Sequence, residues 1–415
     1  DAVMLGWVAT AYILAAAVFL VPFGRLADIH GRKKVFLSGI LAYTVASLLC
    51  AISSTTWVLI GFRILQGIGA ALIFGTSVAI LTSVFPPGQR GKALGINTAS
   101  TYLGLSLGPV LGGLLTQQFG WRSIFLVNLP LGLIVIALVL AMLKEEWAEA
   151  RGENFDVFGA AFYGLTLVGI MLGFSRLPQK SGFFIFGAAV VLAAAFVFRE
   201  TRTAAPLLKV ELFRENRVFA FSNLAALINY SATFAVGFFV SLYLQYLKGL
   251  SPRSAGLILI AQPVVMAVCS PFAGRASDKI EPRIVASIGM AISSVGLLLL
   301  AFLRADSTLA FVFASLAVLG LGFGLFSSPN VNAVMGSVEK RHYGVASATL
   351  GTMRLVGQTM SMGIAMMILG ALVGRIQITA ANQGSFLQGT RTGFVIFAAL
   401  CFAGVFASLA RGNRK

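Results

Sequence analysis

Apolar runs long enough to cross a bilayer recur from one end of this chain to the other. We read thirteen, near residues 4–24, 35–54, 57–84, 93–118, 122–143, 157–177, 182–198, 218–247, 254–274, 284–303, 308–336, 344–374 and 392–410. A helix needs about 20 apolar residues to span a hydrocarbon core of ~30 Å. Within lipid, only a helix or a closed barrel satisfies its own backbone polar groups. Barrel strands would show as short alternating segments, and none are present. The expected fold class is an all-α polytopic membrane protein. A charged-residue content of 11%, against about 25% in soluble domains, points the same way.

The formal net charge is +17. The bases are scattered between apolar spans rather than gathered on one face. That argues against a nucleic-acid partner and for loop charge that orients helices in a lipid bilayer. With segment 24–34 in the cytoplasm and the sides alternating, 21 Lys and Arg fall on that side and 8 on the other. The 24–34 loop and the C-terminus are then cytoplasmic. Arg63 and Arg354 fall inside spans. Cys50, Cys269 and Cys401 lie in apolar spans without metal-ligand spacing, and His30 and His342 are placed in polar loops, so no metal is expected.

The chain also repeats itself. PFGRLAD (22–28) returns as PFAGRASD (271–278), which matches Gly24 and Asp28 to Gly274 and Asp278 at an offset of 250. QGIGAAL (66–72) aligns with LGLGFGL (319–325), and RGKALG (90–95) with YGVASA (343–348), both at 253. A nearly constant offset at three sites in order indicates a duplication into parallel halves, a known transporter architecture. Six helices with short loops need about 200 residues, so the offset leaves room for two inserted helices. The division expected is an N-terminal bundle (1–143), a linker with two extra transmembrane helices (144–217, spans 157–177 and 182–198), and a C-terminal bundle (218–415). The second half then shows six spans and the first only five. A further helix is expected upstream of residue 1, making fourteen in the whole protein.

GRLADIHGRKK (24–34) resembles the signature loop between helices two and three of the major facilitator superfamily. RILQGIGAA (63–71), with Arg63, Gln66, Gly67 and Gly69, resembles its fourth-helix motif. GLSLGPVLGG (104–113) resembles its fifth-helix antiporter motif. With GWRSIFLVNLPLG (120–132) and the two central helices, the chain is similar throughout its length to the 14-helix drug:proton antiporter family. The resemblance implies two pseudo-symmetric six-helix bundles. It also implies export of small amphipathic molecules against protons, across the plasma (inner) membrane of a prokaryote, by a monomer. No cofactor is implied beyond a proton gradient.

Asp28 closes a helix, and its own helix C-terminus does not favour a carboxylate. It should seek another helix's N-terminus, and the span beginning near Tyr343 and Gly344 in the other half offers one; Arg90 or Arg341 could also pair with it. Such contacts would hold the halves together on the cytoplasmic side. The resemblance implies the same gating role for Gly24, Asp28, Gly31, Arg32, Arg90 and Asp278. An orientation signal with a tight turn is the plainer account, but it needs only Arg32, Lys33 and Lys34. Because the repeat keeps Gly274 and Asp278 but not the bases, the acid is marked as the working element rather than the base run.

A charge at membrane depth suggests function by default, against the simpler reading of a snorkelling side chain. Arg63 has Leu316 at the aligned position, so it is not a need of both halves. The resemblance ties Arg63 and Gln66 to proton movement. None of the 14 acids lies deep in a span, so the proton-carrying carboxylate is expected in the upstream helix. Arg354 would line the cavity and bind an anionic group, or else lock a helix pair. Gly104, Gly108 and Gly112, with Gly113, give a smooth face for close packing, and Pro109 would bend the helix. Other cavity candidates are Tyr12, Asn97, Asn229, Tyr230, Gln262, Asn330 and Gln358. The GxSxG within 104–108 has no preceding strand and no partner residues, which excludes a hydrolase elbow, and no phosphate loop of NTPase spacing occurs. The function expected is a proton-coupled exporter of drugs or lipid-like compounds. Alternatives are an importer or facilitator on the same fold, and a non-transporting membrane sensor or scaffold.

Overall fold

The computed structural model describes residues 2–176, 179–374 and 382–412, and all their regular structure is helical. In chain order the helices are α1 (Ala2–His30), α2 (Arg32–Ala51), α3 (Thr56–Val84), α4 (Arg90–Phe119), α5 (Ser123–Leu126), α6 (Asn128–Met142), α7 (Val157–Arg176), α8 (Lys180–Glu200), α9 (Glu211–Arg214), α10 (Arg217–Thr233), α11 (Val236–Leu242), α12 (Pro252–Leu259), α13 (Ala261–Lys279), α14 (Pro282–Ala301), α15 (Leu309–Gly336), α16 (Tyr343–Leu372) and α17 (Gln383–Leu409). Twelve stretches of described helix are long and apolar enough to cross a membrane. α4, with 30 residues, stands beside them. Polar caps set several starts: the side chains of Thr55, Asn216, Ser251 and Thr308 each accept the N–H three residues on, satisfying a donor the helix itself leaves open.

Three expectations about boundaries change. Residues 24–30 are not loop: α1 continues through them to His30. Their charges are buried between helices rather than in lipid, so they do not end the span. α17 likewise begins nine residues before the expected 392. Three spans are interrupted. Between α5 and α6, Pro130 lacks the N–H that would bond Leu126. Between α12 and α13, Pro263 lacks the one that would bond Leu259. Between α10 and α11 no proline intervenes; the freed N–H of Ala235 is taken by the Ser361 hydroxyl of α16 at 3.0 Å.

In the first half α3 packs between α1 and α2, with α6 outside α2; in the second, α14 packs on α15 and α17, and α10 on α16 and α17. The halves meet chiefly through α1 on α16 and α4 on α13, with smaller contacts of α3 on α16 and α4 on α15. The inserted helices α7 and α8 pair with each other, and α7 lies along the seam of α1 and α16, where Tyr163 shares a 2.6 Å hydrogen bond with Thr352. Large exposed apolar side chains are frequent on α6 and α8, among them Leu133, Leu140, Met142, Phe184 and Val191. A surface of this kind suits lipid rather than water.

Candidate functional site

The charged segments 24–34, 85–92, 144–156, 275–283 and 337–342 gather at one end of the molecule, called the basic end below. Asp28, at the close of α1, is fully buried there. Its Oδ1 accepts the N–H of Gly344 at 2.8 Å and its Oδ2 that of Val345 at 3.0 Å. Both donors belong to the first turn of α16, where unpaired N–H groups and the helix dipole favour an anion. The bond therefore runs from one half of the molecule to the other. Gly24, one turn earlier, lets the helices meet: a Cβ there would stand 2.5 Å from the Gly344 carbonyl oxygen.

The expected bases are not the ones that pair with Asp28. Arg341 pairs with Glu339 at 2.7 Å. Arg90 donates to the Phe85 carbonyl at 3.0 Å and stacks on the Tyr343 ring at 5.6 Å. Arg32 takes the role instead. It is fully buried, donates twice to Asp28 Oδ1 at 2.9 and 2.7 Å, reaches Ser83 at 2.8 Å and also bonds the Lys340 carbonyl. Its guanidinium lies 5.2 Å from the Tyr343 ring. One member of the base run is thus as much a part of this contact as the acid, because an isolated buried carboxylate needs a counter-charge.

The repeat builds the same contact in reverse. Asp278, at the close of α13, accepts the N–H groups of Gly91 and Lys92 in the first turn of α4 at 2.8 and 3.0 Å. A Cβ on Gly95 would meet the Ser270 carbonyl oxygen at 2.6 Å. So each half ends a helix in an aspartate that caps a helix of the other half, and both caps lie at the basic end.

The acidic connection 144–156 was legible in the sequence, but its contacts were not. Glu146 accepts the N–H groups of Lys33 and Lys34 at 2.8 and 3.1 Å, which caps α2. Gly31 turns with φ +115, a backbone reserved for glycine, and a Cβ there would strike the Glu146 carboxylate at 2.6 Å. Ala150 N–H bonds the Asp28 carbonyl at 3.0 Å. Arg25, also buried, pairs with Glu153 at 2.5 Å and holds that carboxyl below the usual range. An acidic linker beside a basic turn was the available signal.

Arg63, the eighth residue of α3, donates to the Val8 carbonyl at 2.9 Å and to Gln66 Oε1. Its guanidinium lies 4.3 Å from the Tyr12 ring. Gln66, buried, passes the chain on to Ser47 at 2.8 Å. These residues form one polar network within the first half.

Arg354 and Tyr230 come together deep in the molecule, the guanidinium 5.5 Å from the ring. Tyr230 stacks edge-on against Phe323, and so does Tyr102 from α4, at 5.3 and 5.7 Å. Gln358 lies one turn along α16 from Arg354. Gln262 and Asn97 are half-buried on α13 and α4. Two cavity candidates are buried within the second half. Asn229 is fully buried beside Cys401 in the core of the second half, 3.8 Å from its sulfur. Asn330 bridges α15 to α10 through the Ser222 carbonyl at 3.2 Å. His342, placed in a loop by sequence, is also buried. The glycine face of α4 does not pack: no atom of a described residue lies within 4 Å of a Cβ at Gly104, Gly108, Gly112 or Gly113. α4 packs on α13 and α15 through its first half, as far as Tyr102, which joins Met266, Ala267 and Phe323. The side chain of Pro109 lies outside the described residues.

A family model described as Major Facilitator Superfamily matches residues 1–221 and 222–415. The riboflavin transporter RibZ of Clostridioides difficile is 28% identical over 403 residues, 97% of this chain and 88% of its own length. The cephamycin export protein CmcT of Amycolatopsis lactamdurans is 34% identical over 386 residues, 88% of this chain and 77% of its own. Among solved structures, the human organic anion transporter MFSD10 superposes with a TM-score of 0.71 at 16% identity, covering 97% of this chain and 83% of its own, a likeness of fold.

Proposed function

Since the chain belongs to the Major Facilitator Superfamily and is a membrane transporter, we propose that it is a proton-coupled exporter of amphipathic organic compounds that works by alternating access. The observation that carries this reading is the pair of reciprocal aspartate caps, Asp28 on α16 and Asp278 on α4. Every bond in them ends on a helix terminus or an arginine, groups that water can solvate when the halves part. Such a contact can open without unfolding either half. The caps lie at the end whose Lys and Arg excess marks it as cytoplasmic, so the conformation described is closed on that side.

Arg63, Gln66 and Tyr12 supply the polar network for proton coupling. Among the described residues the guanidinium is held by a carbonyl, an amide and a ring rather than by a carboxylate, which lets it answer a change of charge nearby. The name of CmcT, an export protein, supports the outward direction. An importer or facilitator on the same fold is the competing reading, since the name of RibZ states no direction. Proteoliposomes with an imposed pH gradient separate the two. The proposal expects amphipathic dye to move against the proton flux and to stop when a protonophore collapses the gradient. Movement that ignores the pH gradient, or runs with the protons, overturns it.

A further inference from the structure

We infer that Arg354 is the anchor for an anionic group on the transported molecule, and that Tyr230, Tyr102 and Phe323 hold a planar aromatic portion beside it. The substrate class is an aromatic organic acid. This rests on the transporter reading above and narrows it.

Depth comes first. Arg354 is the twelfth residue of α16, about 17 Å along the helix from Tyr343 at 1.5 Å per residue. In a hydrocarbon core of ~30 Å that is near the middle, too far for its side chain to reach either surface. A cation at such depth needs compensation. The ion pairs among the described residues are Arg25–Glu153, Arg32–Asp28, Arg199 with Asp156 and Glu200, Arg283–Glu281 and Arg341–Glu339. None includes Arg354. The ionisable groups close to it are two tyrosines, Tyr230 and Tyr102.

Arg63 makes the contrast. It too lies within a span, but its N–H groups are taken by Val8 and Gln66. Among the described residues no acceptor takes the N–H groups of Arg354. Its guanidinium lies over the Tyr230 ring, and the fork that grips a carboxylate has no hydrogen-bond partner among the described residues. The repeat adds a second argument. At the offset of 253 that aligns Gly91 with Gly344, Arg354 aligns with Thr101 and Gln358 with Leu105. The scaffold therefore does not require a charge here; one half has acquired it.

The aromatic groups come from both halves. Tyr102 is on α4, Tyr230 on α10, Phe323 on α15 and Arg354 on α16. Tyr102 and Tyr230 both meet Phe323 edge-on, and the Tyr102 hydroxyl bonds Ser327 at 3.4 Å. A ligand held by Arg354 against these rings touches the two bodies that must part and rejoin, which is where a substrate has to sit to couple binding to their motion. Ring faces receive a planar π system, and the fixed positive charge selects the anion and rejects the cation.

The test uses the full protein in proteoliposomes and nanodiscs, with three xanthene dyes as probes: fluorescein, its uncharged methyl ester (with the xanthene hydroxyl also methylated), and the cationic rhodamine 123. The inference expects fluorescein to bind at least about tenfold more tightly than the ester, and rhodamine 123 to bind weakest. It expects Arg354→Gln to remove the preference for the acid, and Arg354→Lys to restore part of it, since lysine keeps the charge but not the fork. Equal binding of the acid and the ester by the unaltered protein overturns the inference, and that comparison needs no variant to fold. So does a preference for rhodamine 123, or an acid preference untouched by Arg354→Gln. Failure of the transporter reading looks different: no probe of any charge then moves in response to a pH gradient.

Discussion

At the scale of single residues, Asp28 and Asp278 are copies of one another that differ in their surroundings. Each caps a helix of the opposite half, but only Asp28 also neutralises a buried arginine. Asp28→Ala would strand the Arg32 guanidinium and should cost about 3–5 kcal/mol, the usual penalty for breaking a buried pair. Asp278→Ala removes a cap alone and should cost about 1–2 kcal/mol. Thermal unfolding in detergent checks the order; a larger loss at Asp278 contradicts it. The glycine and acid pattern was legible because each position has one physical use, a close approach and a helix cap. The role of Arg32 was not. The same side chain serves equally as a topology marker, and nothing in GRKK tells which base turns inward.

The helices themselves add what single residues do not show. Thirteen spans could be read from apolar length, since lipid leaves the backbone no alternative. Their interruptions could not. Pro130 and Pro263 break spans, yet Pro22, Pro271 and Pro329 sit inside unbroken helices, so proline alone does not decide. Neighbours decide instead, as the break before α11 shows. Ser361→Ala would leave the Ala235 N–H buried without an acceptor and should destabilise the protein by about 1–3 kcal/mol, read as a lower melting temperature; an unchanged one would mean that the backbone heals the break itself. The 144–156 segment is likewise held by contacts that no local pattern announces. Arg25 bonds Glu153 and lowers its pKa, so this tie is fully present above the ordinary glutamate value of about 4.3. It is lost as pH falls through the depressed folded value. Hydrogen exchange of the 144–156 amides, corrected for intrinsic rates, should show constant protection from pH 8 to 5 and loss in stronger acid. Loss between pH 7 and 5 would point to a different group.

For the whole molecule the duplication matters most. Two halves with the same cap, each fitted to the other, make a contact that is symmetric across the seam and confined to one end. The features that break the symmetry carry the proposed chemistry: Arg63 with Gln66 in the first half, Arg354 with its tyrosines joined across both. Sequence reading found the two arginines through their depth but could not assemble their neighbours. Tyr102 and Phe323 are ordinary aromatic residues until four helices bring them together. A Cβ on Gly24 would also touch the Ala348 Cβ at 2.6 Å, so Gly24→Ala should force the halves apart at the basic end and shift the protein toward a state open there.

That state has a direct readout. Ala348 is fully buried in the seam between α1 and α16. A cysteine placed there, in a background lacking Cys50, Cys269 and Cys401, reports whether the basic end is open when a membrane-impermeant maleimide is added from that side. The account predicts slow labelling in the otherwise unaltered protein. It predicts labelling at least about tenfold faster when Asp28 and Asp278 are both changed to Asn, with transport lost in parallel. Fast labelling with both aspartates in place, or lost transport without any change in labelling, would contradict the claim that the paired caps are the gate.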